Sequence, residues 1–235
     1  MAHRLYQLDE HNNFPCVSKA LTEPNGLLAI GGDLSTTRLI EAYRCGVFPW
    51  FSEGDPLLWW SPNPRAVIYL NDLRINRTLK KAINKSSYKV TLNTAFEEVI
   101  EQCADAPFRN DDTWIVSSMQ SAYINLHHAG FAHSIEVWED DKLIGGLYGV
   151  AVNGFFSGES MFYAKDNGSK FALIALKLHL EKLGVTCIDC QLLNPFLSDM
   201  GAIEIPRKTF LDLKLHAINI APPIDFWQPK RLCIK

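Results

Sequence analysis

Apolar and polar residues alternate along this chain in two rhythms, and the places where the rhythm changes divide it into elements. "STTRLIEAYRCG", residues 35–46, has helical spacing, with Ser35 placed to cap its start and Gly46 to end it. The next stretch, "VFPWFSEGDPLLWWSPNPRAV", carries three tryptophans and is so punctuated by Pro and Gly that it predicts irregular structure. Helices are expected over residues 77–84, 94–104 and 117–129. "HSIEVWEDDKLIGGLYGVAVNGFFSGESMF" then switches to a period near two. It predicts a meander of three strands, with Asn153-Gly154 as a strong hairpin turn and Asp140-Asp141 as a weaker one. Helical spacing returns in "SKFALIALKLHLEKLG", an amphipathic segment with Ser169 as the expected N-cap and Gly184 at its end. Residues 185–192 form a short apolar run rich in β-branched side chains and predict a buried strand. Three strands, a helix and a strand make an α+β arrangement with one βαβ crossover, in which ligands favour the carboxyl ends of the strands.

Composition narrows the class. With 235 residues, 47% hydrophobic and 21% charged, the chain can bury a sizeable core as one large or two modest domains. No apolar run reaches the roughly 18 residues of a membrane span. The N-terminal "MAHRLYQLDEHNNF" lacks the apolar centre of a secretion signal, so a cytoplasmic protein is expected. Six scattered cysteines are too few for a disulfide framework and fit a reducing compartment. The net charge of −3 hides an asymmetry, because the six charged residues from Arg74 to Lys89 are all basic. On a helix, Arg77, Lys80, Lys81 and Lys85 share one face. Such a face is usually just solvated, but without acidic residues to balance it, it also suits a track for phosphates.

The segment "VTCIDCQLLN" contains a C-x-x-C pair, which can signal a redox dithiol or half of a zinc site. On a strand, residues three apart point to opposite faces, so Cys187 and Cys190 are not arranged to share a metal. A structural zinc also needs four ligands, and no second pair stands at suitable spacing. The cysteines therefore read as small buried apolar side chains. Cys187, Asp189 and Gln191 share a face at i, i+2 and i+4. An Asp inside a buried strand is costly unless hydrogen-bonded or functional, and it is the residue to explain.

The blocks "EPNGLLAIGGDLS", "GVFPWFSEGDPLLWWSPNPRAV", "HSIEVWEDDKLIGGLYGV", "GESMF" and "IDCQLLN" together resemble the bacterial leucyl/phenylalanyl-tRNA-protein transferases, over nearly the whole chain from Leu5 to Leu232. The resemblance implies a small N-terminal α/β domain over residues 1–63 and a larger acetyltransferase-like (GNAT-like) domain over residues 64–235. It implies transfer of Leu, Phe or Met from aminoacyl-tRNA to proteins with an N-terminal Arg or Lys, which marks the acceptor for N-end rule degradation. No metal or other cofactor is implied, and no sequence run demands a partner helix, so a monomer is expected.

By similarity to the family, Asp189, Gln191 and Glu159 form the catalytic group, with Asp189 receiving the incoming amine directly or through Gln191. Leu147, Phe156, Leu173, Leu176 and Ile188 line the pocket for the donor side chain. Trp50 and Trp114 lie by the terminal adenosine, with Tyr43 and Tyr123 as weaker candidates of the same kind. Arg77, Lys80, Lys81 and Lys85 face the tRNA body. Two rivals stand beside this reading. A coenzyme A-dependent acetyltransferase would carry a Gln/Arg-x-x-Gly-x-Gly/Ala phosphate loop, and the nearest string, "HHAGFA", lacks the Gln or Arg and precedes the strands. A non-catalytic tRNA-binding protein would tolerate loss of Asp189.

Overall fold

The computed structural model describes residues 5–9, 13–106 and 114–234. A small sheet comes first: β1 (Tyr6–Leu8), β2 (Leu27–Gly31), β3 (Phe48–Pro49) and β4 (Leu58–Trp60), with helix α1 (Thr36–Cys45) between β2 and β3. Its order is β1-β2-β4-β3. The expected start and stop of α1 are both present: the Ser35 hydroxyl accepts from the Arg38 amide, and Gly46 takes the left-handed conformation at φ 76°.

The larger sheet begins at Arg65. Its strands are β5 (Arg65–Tyr69), β6 (Lys89–Leu92), β7 (Ala132–Glu139), β8 (Lys142–Val152), β9 (Phe155–Tyr163), β10 (Cys187–Gln191), β11 (Ile203–Ile205) and β12 (Lys230–Leu232). They are ordered β11-β5-β10-β9-β8-β7-β6-β12. Between them run α2 (Arg77–Lys85), α3 (Phe96–Ala104), α4 (Ser117–His128), α5 (Gly168–Leu180), α6 (Pro195–Asp199) and α7 (Arg207–Ile218). The mixed α+β class, with a smaller unit preceding a larger one, is the class expected from the sequence.

Two local expectations are corrected. The Trp- and Pro-rich stretch is not irregular throughout, because it supplies β3, β4 and the start of β5. Strands of two or three residues fit between its prolines, and the Trp59 indole N–H ties β4 to β2 by donating to the Gly31 carbonyl at 2.8 Å. Ser169 is not the cap of α5. The helix starts two residues earlier, at Gly168, after Asn167 turns the chain at φ 67°, and Ser169 is buried within it. Gly168 is needed there because a Cβ would lie 2.5 Å from the Ile144 carbonyl.

The larger sheet has a core on each face. Helix α5 buries Phe171, Leu173, Ile174, Leu176 and Leu180 against one face, together with Leu79 and Ile83 of α2, while Phe210 of α7 packs on Phe155 and on Arg65 from the other side. Helices α1, α3 and α4 cover the other face with Leu39, Val99, Met119 and Leu126, so the small N-terminal unit shares that core. Strand β8 serves both, sending Leu147 and Ala151 to the first core and Tyr148, Val150 and Val152 to the second. Each large apolar side chain so buried contributes roughly 1.5–3 kcal/mol.

One feature of the sheet creates the site. β9, α5 and β10 form the anticipated βαβ crossover, and β9 and β10 run parallel, yet their register consists of the single pair Ser157 and Asp189. Past that pair β10 bulges between Asp189 and Gln191. Gln191 sits at φ 55°, a left-handed backbone that costs a non-glycine residue roughly 1–3 kcal/mol and clusters at functional sites.

Candidate active site

A cavity of about 770 Å³ is lined by residues of both strands where they part. Leu147 of β8, Met161 of β9, Leu173 and Leu176 of α5, and Ile188 and Cys190 of β10 line it with apolar surface. Phe48, Trp50, Trp114, Tyr163, Leu192 and Phe196 add larger apolar and aromatic surface. Of these, Trp50 is 41% exposed, Tyr163 46% and Leu192 41%, an unusual concentration of open apolar surface beside one cavity. Glu159, Ser160, Ser169 and Gln191 supply polar lining.

Glu159 and Gln191 are joined. The Gln191 side-chain amide Nε2 donates to Glu159 Oε1 at 2.9 Å and to Ser157 Oγ at 2.9 Å. The Tyr123 hydroxyl donates to Glu159 Oε2 at 3.1 Å and is itself 2.5 Å from the Tyr43 hydroxyl. Glu159 is half-buried and lines the cavity, and burial pushes its carboxyl up to about 7. The nearby Asp189 charge pushes the same way, while the tyrosine hydroxyls and Arg65 oppose it.

Asp189 lies behind this pair, with both oxygens engaged. Arg65 grips it by two parallel bonds, Nε to Oδ1 and Nη2 to Oδ2, both 2.7 Å. The Ser157 hydroxyl donates to Oδ2 at 2.7 Å and the Gln191 backbone amide to Oδ1 at 3.1 Å. Asp189 is 1% exposed and Arg65 likewise 1%. Of the two routes expected for Asp189, direct contact with the amine or action through Gln191, the geometry favours the second: its oxygens are taken by Arg65, Ser157 and the Gln191 amide, and its cost inside a strand is met by an ion pair. Only Gln191 and Glu159 of the expected catalytic group reach the cavity.

Other expectations divide in the same way. Leu147, Leu173, Leu176 and Ile188 line the cavity, but Phe156 does not, because its ring turns away to stack on Trp227 at 5.8 Å. Trp50 and Trp114 line it, whereas Tyr43 and Tyr123 are fully buried, offer no face to a base, and serve instead as hydroxyls that hold Glu159. Trp50 is held by Trp60, whose indole N–H donates to the Trp50 carbonyl at 2.7 Å with the two rings 5.6 Å apart. That contact explains why "FPWF" and "WWSP" occur together. Burial raises the thiols of Cys187, to about 11, and of Cys190, so both stay protonated near neutral pH. Among the described residues no group of three or more His, Cys, Asp or Glu side chains could hold a metal ion.

The basic helix lies outside the cavity. Arg77, Lys80, Lys81 and Lys85 are all exposed on α2, and none is in an ion pair among the described residues. The segment leading into α2 is tied to the cavity wall, because Arg74 donates to the Ser198 carbonyl of α6 at 3.2 Å and α6 contributes Pro195, Phe196 and Leu197 to the lining.

Comparison with known proteins identifies the family. The family profile for leucyl/phenylalanyl-tRNA protein transferase matches residues 67–216, and the profile for the N-terminal domain of the same family matches residues 32–63. The chain belongs to the leucyl/phenylalanyl-tRNA protein transferase family. It is 60% identical to the leucyl/phenylalanyl-tRNA--protein transferase of Colwellia psychrerythraea over 240 aligned residues, covering 100% of both chains. It is 50% identical to that of Pectobacterium carotovorum over 97% of both chains. Solved structures align more loosely: that of L-PGS from Bacillus licheniformis covers 87% of this chain and 65% of its own at a TM-score of 0.40 and 12% identity.

Several residues of this candidate site in the transferase family member escape the sequence reading. Arg65 reads as one more charge in a Pro-rich turn; the signal that could have found it is the need of a buried Asp189 for a counter-ion, met by the Arg that opens the apolar run "RAVIYL". Met161 is hidden among ordinary core residues, Cys190 is read as packing only although it lines the cavity, and Ser157 carries no signal of its own.

Proposed function

We infer that this chain transfers Leu or Phe, and also Met, from aminoacyl-tRNA to the N-terminal Arg or Lys of acceptor proteins, tagging them for N-end rule degradation. The observation that carries this reading is the pairing of an apolar cavity with Gln191 and Glu159 at its polar lining, flanked by open aromatic surface. The site needs no nucleophile of its own, since an aminoacyl ester is already activated and requires only a positioned, deprotonated amine.

The donor side chain enters among Leu147, Met161, Leu173 and Leu176, where burial contributes roughly 1.5–3 kcal/mol. The terminal adenosine stacks at Trp50 and Trp114, and the tRNA body follows the cations of α2. The acceptor amine comes to Gln191 and Glu159. Because Gln191 Nε2 is committed to Ser157 and Glu159, the amide carbonyl Oε1 is the end left to accept from the amine. Ionised Glu159 takes one proton from the ammonium. The freed nitrogen lone pair attacks the ester carbonyl carbon, the C–N bond forms, the C–O bond to the ribose breaks, and the ribose oxygen leaves with the second proton released by nitrogen. General-base help of this kind is worth roughly 10²–10⁴-fold. As the only carboxylate lining the cavity among the described residues, Glu159 also favours a cationic N-terminal residue.

The protein acts in the cytoplasm as a monomer. The described cysteines form no disulfide, which suits a reducing compartment, and no helix among the described residues is long and apolar enough to cross a membrane.

The test is transfer of labelled Leu and Phe from charged tRNA to peptides beginning Arg, Lys or Ala. Product with Arg and Lys but not Ala supports the reading. Charged-tRNA binding without transfer to any peptide would leave a tRNA-binding protein.

A further inference from the structure

Arg65 opens β5 deep inside the molecule, with its guanidinium between the rings of Phe48 at 4.7 Å and Phe210 at 4.5 Å and its third nitrogen 3.4 Å from the Gly46 carbonyl. A buried ion pair of this sort is seldom a net gain in stability over apolar residues of the same shape, so its presence calls for another reason.

The hydrogen bonds downstream of it supply one. Arg65 donates to both oxygens of Asp189, which leaves Asp189 as an acceptor towards Ser157. The Ser157 hydroxyl has one proton and gives it to Asp189, so towards Gln191 its oxygen can only accept. That forces the NH₂ end of the Gln191 amide to face Ser157 and Glu159 and turns the carbonyl end to the cavity. Ionised Glu159 accepts from the same end, so two acceptors hold the amide; without the fixed pair Ser157 could donate to the amide carbonyl instead, leaving Glu159 alone to hold it, and Gln191 would turn over more often and present N–H where the acceptor amine must bind.

We propose that Arg65 is a positioning residue for the transfer reaction: acting through Asp189 and Ser157, it selects which end of the Gln191 amide faces the acceptor. The proposal rests on the reading of Gln191 as the group that receives the amine. Lysine cannot replace Arg65, because it lacks the planar fork that holds both carboxylate oxygens.

The experiment is single-turnover transfer of Leu from charged tRNA to a peptide beginning with Arg. It compares wild type, Arg65→Lys, Ser157→Ala and Gln191→Ala, and each of the first two changes combined with Gln191→Ala. Ser157→Ala breaks the same chain without touching a charge, so the test survives if Arg65→Lys fails to fold. Arg65→Lys and Ser157→Ala should each slow the step by roughly ten- to a hundredfold, with KM for aminoacyl-tRNA unchanged. Neither should slow it further once Gln191 is Ala, a non-additivity that a general loss of stability does not produce. Multiplicative losses in the combined variants, or wild-type rates in both Arg65→Lys and Ser157→Ala while Gln191→Ala is slow, overturn the role of Arg65 alone. A wild-type rate in Gln191→Ala overturns the reading of Gln191 and the proposal with it.

Discussion

Replacing Glu159 by Gln should stabilise the protein while disabling it, and the effect should depend on pH in one direction only. Burial raises the Glu159 carboxyl from 4.5 to about 7, with the Asp189 charge pushing the same way and the hydroxyls of Tyr43 and Tyr123 opposing it. The folded protein thus holds this proton more tightly than the unfolded chain does. The stability this contributes is fully present below about 4.5 and is lost as pH rises through about 7. At about 1.4 kcal/mol per pH unit, the interval from 4.5 to about 7 amounts to on the order of 3 kcal/mol, an upper bound because the carboxyl opens to water in the cavity. Glutamine keeps the shape and removes the charge. At about pH 8, Glu159→Gln should melt up to about 6–12 °C higher than wild type, at roughly 2–4 °C per kcal/mol for a chain of this size. By about pH 4.5 the difference should shrink towards zero, apart from a constant offset of about 1 kcal/mol if one hydrogen bond is exchanged for a poorer one. Thermal unfolding followed by circular dichroism between these pH values checks it. A difference that stays the same at both ends, or a variant that loses ground as pH rises, would refute a raised Glu159 pKa.

Reversing Lys81 and Lys85 to Glu should weaken tRNA binding and reduce the salt slope by about one for each phosphate that is no longer neutralised; an unchanged slope in a filter-binding titration would remove α2 from the interface. Trp50→Ala should weaken binding of an aminoacyl-adenosine fragment by roughly 1–3 kcal/mol, and calorimetry showing equal affinity would deny Trp50 a stacking role. His179 is buried against Phe226, and that burial lowers its pKa from 6.5 to about 4. The stability of its neutral form is present above 6.5 and lost as pH falls through about 4. His179→Leu should flatten the acid limb of stability in that window, as read by urea unfolding, and an equally steep limb in the variant would contradict this.

The legible parts of the chain were those governed by local rules. Ser35 and Gly46 delimit α1, and Asn153 takes the left-handed backbone of its hairpin at φ 53°. The βαβ crossover and the burial of Asp189 also followed from periodicity. Role proved harder to read than position. Sequence shows that Asp189 sits in a strand, but its occupant is Arg65, 124 residues earlier in the chain, and no local pattern encodes that pairing. The bulge that moves Gln191 relative to Asp189 is likewise set by tertiary contact, so equal spacing on one face became two separate duties. Tyr43 and Tyr123 could be recognised as belonging to the site but not as buried hydroxyls, because an aromatic ring and its polar tip can serve different neighbours. Short strands such as β11 and β12 and the five-residue helix α6 lie among turn residues where period carries little signal, and α7 buries only Phe210, Lys214 and Ala217, too mixed a set to mark an apolar face.

The most direct measurement is kcat/KM for an acceptor peptide beginning with Arg, with leucyl-tRNA as donor, across the neutral range for wild type and Glu159→Gln. Wild type should lose activity as pH falls through about 7, the value at which Glu159 gains its proton. Glu159→Gln should lie roughly a hundredfold or more below it, with its acid limb moved up to the acceptor's own α-amine, at about 7.7–8.0, because without the base only the already deprotonated amine reacts. A variant that matches wild type in both rate and pH profile would contradict the assignment of Glu159 and Gln191 as the groups that receive the amine.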